Sequence, residues 1–600
     1  MTKGAKTRTR KDSAVDKLPE WDLVDLYSSP EAPELEADLE DASARSQAFA
    51  GRLKGRLATL DGATLGAAIS EYEGFTELLH KAMSYAHLYF AANSEDAKRG
   101  RFYQTVHEQV NAISTETLFF TLELNRMSEA VLRKQLKDPA AQHYASWIRD
   151  VRVFRPHMLD DNLEKILHEK SVTGRASWVR LFDETQSALR FPMGRKRLTM
   201  SEVLNLLSDR DGEKRKRAAK ALGKVLGQNV RLFTLITNTL AKDKRIEDEW
   251  RHYPSPLSSR NLGNYVEDEV VEALTRSVAD AFPDLSHRYY RLKARWFGKR
   301  KLDYWDRNAP LPGDSGRRYS WRQARELVLG AYGHFTPEMA ATAERFFTNA
   351  WIDAAPRTGK NSGAFSHSTV PSVHPYILMN FHGKARDVMT LAHELGHGVH
   401  QVLAGPQGTL MSDTPLTLAE TASVFGEMLT FQAMLADEAD ASRRRTLLAG
   451  KVEDMLNTVV RQVAFHRFEE RVHDERARGE LSAERLGDIW MDVQRESLGP
   501  VFRFDDEYRN YWAYIPHFVH APFYVYAYAF GDCLVNSLYG VFEDGHADFQ
   551  AKYLDMLAAG GTLRHKELLA PFGLYAGDPA FWRQGLGVIS GFIDELEQVF

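Results

Sequence analysis

Cysteine is almost missing from this chain: Cys533 is the only one in 600 residues. A single thiol cannot close an internal disulfide or build a cysteine-rich zinc or iron–sulfur centre, so any metal must be held by histidine and carboxylate. A charge imbalance is missing too. With 77 Lys and Arg against 82 Asp and Glu, the net charge of −5 leaves no global basic field for nucleic acid or an anionic membrane. Long hydrophobic runs are also lacking. The longest apolar and aromatic stretch, Phe518 to Phe542, is broken by His520, Pro522, Gly531, Asp532 and Asn536, which argues against a lipid-facing span. The basic residues Lys3, Lys6, Arg8, Arg10 and Lys11 are followed by no apolar segment, so they read as a solvated tail and not as a secretory signal. A soluble, cytoplasmic protein is expected.

Proline is scarce, 22 in all, and strand-type alternation is hard to find. Apolar residues recur instead every three or four positions, as in Leu163, Ile166 and Leu167, or Val203, Leu204, Leu206 and Leu207, which predicts a mainly α protein. Hydrophobic residues at 44% and charged residues at 26% are ordinary for a soluble globular chain, and the length allows a large core or several domains. No fixed-period repeat suggests a solenoid. The run Lys214-Arg215-Lys216-Arg217 has no interleaved aromatics and reads as a solvated helix face. Three regions are expected: a disordered basic tail over 1–15, an N-terminal helical region over 16–195 ending at a joint near Gly194–Arg197, and a catalytic region over 196–600. Strand character rises only around 363–381. There Gly363–Ser366 and Tyr376–Phe381 predict a small hairpin or sheet.

Residues 393–397 read His-Glu-Leu-Gly-His. On a helix, His393 and His397 lie one turn apart on the same face and can grip one ion. Glu394, about 100° round, can reach a water beside the metal. Val388, Leu391, Ala392, Leu395, Val399, Val402 and Leu403 fall on the opposite side, and Gly405, Pro406 and Gly408 stop the helix. A zinc site of this type needs a third ligand. His400 is on the right face, but one helix rarely wraps three ligands round one ion. The metzincin pattern requires histidine where Leu403 stands. Glu420 is the stronger candidate: Thr414-Pro415 is a helix start, and Glu420 and Glu427 share one face of an otherwise apolar, buried helix. Two buried carboxylates call for a cation.

His-Glu-Leu-Gly-His, twenty-two residues, then Glu420 within Leu-Ala-Glu-Thr-Ala-Ser-Val-Phe-Gly-Glu resembles the thimet oligopeptidase family of zinc metallopeptidases, and its oligoendopeptidase F branch most closely. Trp21–Tyr27, Asp387–Ala392, Ile515–Phe518 and Pro522–Tyr526 carry the same resemblance, which therefore spans nearly the whole chain. It implies a mainly α, bilobed ellipsoid with a deep channel, one zinc per chain, and endopeptidase action on short peptides. His393, His397 and Glu420 are then the zinc ligands and Glu394 the general base. We expect Glu427 to fix one ligand histidine through its far ring nitrogen. The resemblance further suggests His517, Tyr524 and Tyr526 as oxyanion donors, with Tyr528 and His520 in reserve. Val519 and His520 stand where the family pattern has a tyrosine near the histidine. The hairpin could bind substrate as an added strand through 363–368 or 374–380, or could simply form core. A helical zinc carboxypeptidase and a non-catalytic peptide-binding protein are the competing functions. The sequence does not indicate an oligomeric state.

Overall fold

A computed structural model of the protein describes residues 17–311 and 317–598. The basic tail expected over 1–15 lies outside the described residues. Within them the chain is mainly α, with 27 α-helices and seven strands of two or three residues. No helix among the described residues is long and apolar enough to cross a membrane. The chain divides into two compact units, each assembled from three separate stretches. One comprises residues up to Arg155, Gly316–Asp437 and His546–Phe572; the other comprises Pro156–Ser315, Glu438–Gly545 and Gly573–Phe600. The expected cut at 195/196 falls inside the second of these units. Phe191–Met193 pairs antiparallel with Lys196–Leu198 there, and Gly194 turns the chain with φ +65°. A tight hairpin inside one unit produced the glycine and charge signal.

In the first unit, helices Pro33–Leu53, Gly62–Ala91 and Ala97–Arg126 pack on one another. Asp61 caps the second by accepting the Thr64 N–H at 2.8 Å. Phe49 is enclosed by Phe120 and Phe75, with ring centroids at 4.9 and 5.4 Å. Ser320 and Thr336 then cap Trp321–Phe335 and Pro337–Thr348. The expected strands form a three-stranded sheet: Tyr376–Leu378 is central, parallel to Ile352–Asp353 and antiparallel to the edge strand Phe365–His367. This sheet leads into the motif helix, Ala385–Ala404, which packs chiefly on Thr421–Asp437.

In the second unit, Gly212–Gln228, Val230–Trp250, Val460–Arg476 and Ala483–Leu498 surround a core that includes Phe233, Phe468 and Trp490. Tyr526–Glu543 packs on Pro579–Gln598. The basic run lies on the first of these helices, and one member departs from the solvated reading. Arg215 is buried and pairs with Asp306 at 2.8 Å, because helical spacing turns it inward beside Ala218, Ala219 and Leu222.

Candidate metal centre

The motif helix begins where Gly383 turns the chain with φ +78° and where Asp387 accepts the backbone N–H groups of His382 and Lys384 at 2.8 and 2.9 Å. Val388, Leu391, Ala392, Leu395 and Val399 are fully buried, so this face anchors the helix in the core. Gly396 sets the approach of its partner. A Cβ there would lie 2.4 Å from the Ala422 carbonyl oxygen and 2.6 Å from Ser423 Cα. Only hydrogen fits at that crossing.

The close crossing delivers Glu420. It sits at the break between the short helix Leu416–Ala419 and Thr421–Asp437, and its Oε2 lies 3.4 Å from His393 Nε2 and 3.5 Å from His397 Nε2. Ligands about 2.0–2.2 Å from a tetrahedral ion stand about 3.3–3.6 Å apart. The observed spacing matches that requirement. Among the described residues, these three form the one group whose His, Cys, Asp or Glu donor atoms all lie within 4.8 Å of one another. Thr414 does not cap the helix: its hydroxyl meets His400 Nε2 at 3.2 Å, and the helix starts at Leu416. His400 is buried on that contact and is not part of the cluster.

Electrostatics also call for a cation. Burial pulls the His393 pKa down, but the Glu427 hydrogen bond and the charges of Glu420 and Glu394 outweigh it and raise the value to about 9. Glu427 Oε2 stands 3.3 Å from His393 Nδ1. Burial lowers His397 to about 4, leaving a neutral imidazole with a free lone pair. Burial pushes Glu394 up to about 7, against the opposing charge of His393, and its carboxylate accepts the Ser366 backbone N–H. The residues therefore fit a dication with two imidazoles and one carboxylate, leaving a fourth position open.

Several supporting residues had no signal in the motif. Ser423 donates to Glu420 Oε2 at 2.6 Å and fixes that oxygen. The Tyr332 hydroxyl donates to the Ala392 carbonyl at 2.5 Å, and a Cβ at Gly426 would strike that same hydroxyl. Ser366 Oγ donates to Gln401 at 2.9 Å, tying the edge strand to the motif helix. A cavity of about 790 Å³ opens beside His397, walled by His367 and Ser368 of the strand region, by Gln401, and by His80 and His87.

The expected C-terminal donors lie in the second unit. His517 Nε2 is 3.3 Å from the Tyr528 hydroxyl, and the His517 ring stacks on Tyr524 at 6.0 Å. Tyr526, expected among the donors, is fully buried, and its hydroxyl accepts from Asn264 Nδ2 at 2.9 Å. Tyr524 precedes the helix Tyr526–Glu543, and its ring meets that of Tyr528 at 5.3 Å, whereas Tyr526 is buried. His520 is engaged with Asp183 at 2.7 Å.

The family model for peptidase family M3 matches residues 205–588. The chain belongs to peptidase family M3. A second model, oligopeptidase F, matches residues 123–191, so two separate segments of this M3 chain support the resemblance to the oligoendopeptidase F branch. It is 27% identical to oligopeptidase PepF of Bacillus subtilis, over 96% of this chain and 87% of that protein. It is also 27% identical to the group B oligopeptidase PepB of Streptococcus agalactiae, over 94% of each chain. Among solved structures, oligoendopeptidase-F from Enterococcus faecium superposes with a TM-score of 0.68 at 22% identity, covering 94% of this chain and 97% of that one. That likeness establishes the fold.

Proposed function

We propose that this M3 peptidase is a zinc-dependent endopeptidase that hydrolyses short oligopeptides inside the cytoplasm. The observation that supports this best is the His393–His397–Glu420 cluster, with donor atoms 3.4 and 3.5 Å apart and Glu394 next to it in sequence on the same helix. These three residues would hold one zinc ion per chain. When bound, zinc supplies a Lewis acid that polarises a peptide carbonyl and brings the pKa of water toward neutrality. Glu394 accepts a proton from the attacking water and passes it to the departing amine. Burial raises its pKa above the usual carboxylate value, which suits a group that takes up a proton and returns it. Glu427 holds His393 Nδ1, which keeps Nε2 directed at the cluster. The edge strand Phe365–His367 would pair with substrate backbone, and that mode tolerates many side chains. His517, Tyr524 and Tyr528 would donate to the developing oxyanion; Tyr526 keeps a packing role.

Peptides blocked at both termini test this reading. An endopeptidase cleaves them, and a chelator abolishes that cleavage together with loss of about one zinc per chain. Glu394→Gln should retain zinc while hydrolysis falls about 10²-fold or more. A fully active Glu394→Gln enzyme refutes the mechanism, and cleavage confined to free C-termini favours a carboxypeptidase.

A further inference from the structure

The second unit holds two part-buried arginines at a cavity that no carboxylate lines. Arg307 follows the turn Tyr304–Asp306, and Arg461 lies in the first turn of Val460–Arg476. Both line a cavity of about 10 Å³ together with Tyr290, Asn457 and Gln494, and no carboxylate lines it. Arg307 donates through Nε to Asn308 at 3.2 Å; Arg461 donates to the Tyr514 hydroxyl at 3.3 Å and lies 5.0 Å over the Phe465 ring. Neither guanidinium is ion-paired among the described residues. Glu453, whose charge acts on Arg307, already accepts from Tyr289 at 2.8 Å and Lys293 at 2.5 Å. Burial and the charge of Arg307 both lower the pKa of Arg461.

The hydrogen bonds left unmade at this cavity are donors. Arg461 Nε is buried without an acceptor, and so is Gln494 Nε2 on a side chain 2% exposed. The Gln494 orientation is set from its other end, where Oε1 accepts the Tyr508 hydroxyl at 2.9 Å, so the amide presents N–H and not oxygen to the cavity. Like charges brought together out of water cost several kcal/mol unless a counter-charge joins them. A water molecule satisfies donors but brings no charge, and the space holds about one small sphere, too little for phosphate or sulfate.

We propose that Arg307, Arg461 and Gln494 form a binding site for one monatomic anion, a halide, which neutralises the two guanidiniums. The site is independent of the zinc cluster and of the peptidase reading. Crystals of the full chain grown in sodium bromide should show an anomalous peak within hydrogen-bond distance of Arg461 Nε and Gln494 Nε2. Density there without anomalous signal is water and overturns the proposal. In solution, replacing gluconate with chloride at constant ionic strength should raise Tm, and the rise should grow with the logarithm of chloride concentration. Gln494→Glu keeps an acceptor for Tyr508 and puts a carboxylate where the halide would be. This variant should melt in gluconate as the parent melts in chloride, with no response to halide. Equal parent Tm in the two salts, or an undiminished chloride response in Gln494→Glu, refutes the site.

Discussion

Gly396→Ala would test the crossing that builds the metal centre. The new methyl would lie 2.4 Å from the Ala422 carbonyl oxygen and 2.6 Å from Ser423 Cα, about 1 Å short of ordinary contact, and both obstacles are backbone. No side chain can rotate away. The helix Thr421–Asp437 must therefore back off by several tenths of an ångström to about 1 Å, and Glu420 at its head moves with it. The Glu420 Oε2 distances of 3.4 and 3.5 Å would open toward about 4 Å, beyond the separation that one tetrahedral ion allows. Overpacking of this kind costs about 1–3 kcal/mol. We expect zinc affinity to fall about 10- to 100-fold, as for other losses of ligand support. Competition against a chromogenic chelator reads the affinity, and thermal melting of the metal-free protein reads the packing cost. A Gly396→Ala protein with parental zinc affinity and parental apo Tm would show that the helices do not need this close approach.

Three further outcomes are expected. Ser423→Ala removes the 2.6 Å hydrogen bond that fixes Glu420 Oε2; chelator competition should show zinc affinity about 10-fold weaker, with a folded protein retained. Tyr526→Phe should lower stability by about 0.5–1.5 kcal/mol by removing its buried hydrogen bond with Asn264, with kcat little changed, whereas Tyr524→Phe and Tyr528→Phe should lower kcat with Tm little changed; denaturant melts and steady-state kinetics separate the two patterns. Burial raises Glu469 from 4.5 to about 8, so the folded protein keeps it protonated where the unfolded chain ionises it. Its contribution is fully present below about pH 4.5 and is lost as pH rises toward 8, so Glu469→Gln should gain most over the parent above about pH 8 in melts across pH.

Helical periodicity made the mainly α fold legible, because each amphipathic helix repeats its burial pattern every turn. The edge strand was visible between its glycines and serines. The pair His393 and His397 needed only helical spacing, since a four-residue offset places two side chains on one face whatever surrounds them. Glu420 was a candidate for a related reason: a carboxylate flanked by apolar residues on both sides calls for a cation. The sequence alone also determined that a metal would have to be held by nitrogen and oxygen.

Other features were decided only when distant segments met. The division into compact units was not legible, because a local turn signal cannot tell a hairpin from a domain joint, and each unit draws on three stretches of chain. Arg215 looked solvated until Asp306 was brought to it across 91 positions. Tyr526 and Tyr528 are equally good donors as letters; the start of one helix and the position of Asn264 send the first inward and leave the second beside His517. Ser423 and Gly396 had no reading of their own, because their role is to set a distance between two helices. Periodicity reports which side of an element faces inward, whereas separations at the scale of hydrogen bonds and metal ligation are set by close packing between elements, and only the tertiary structure contains them.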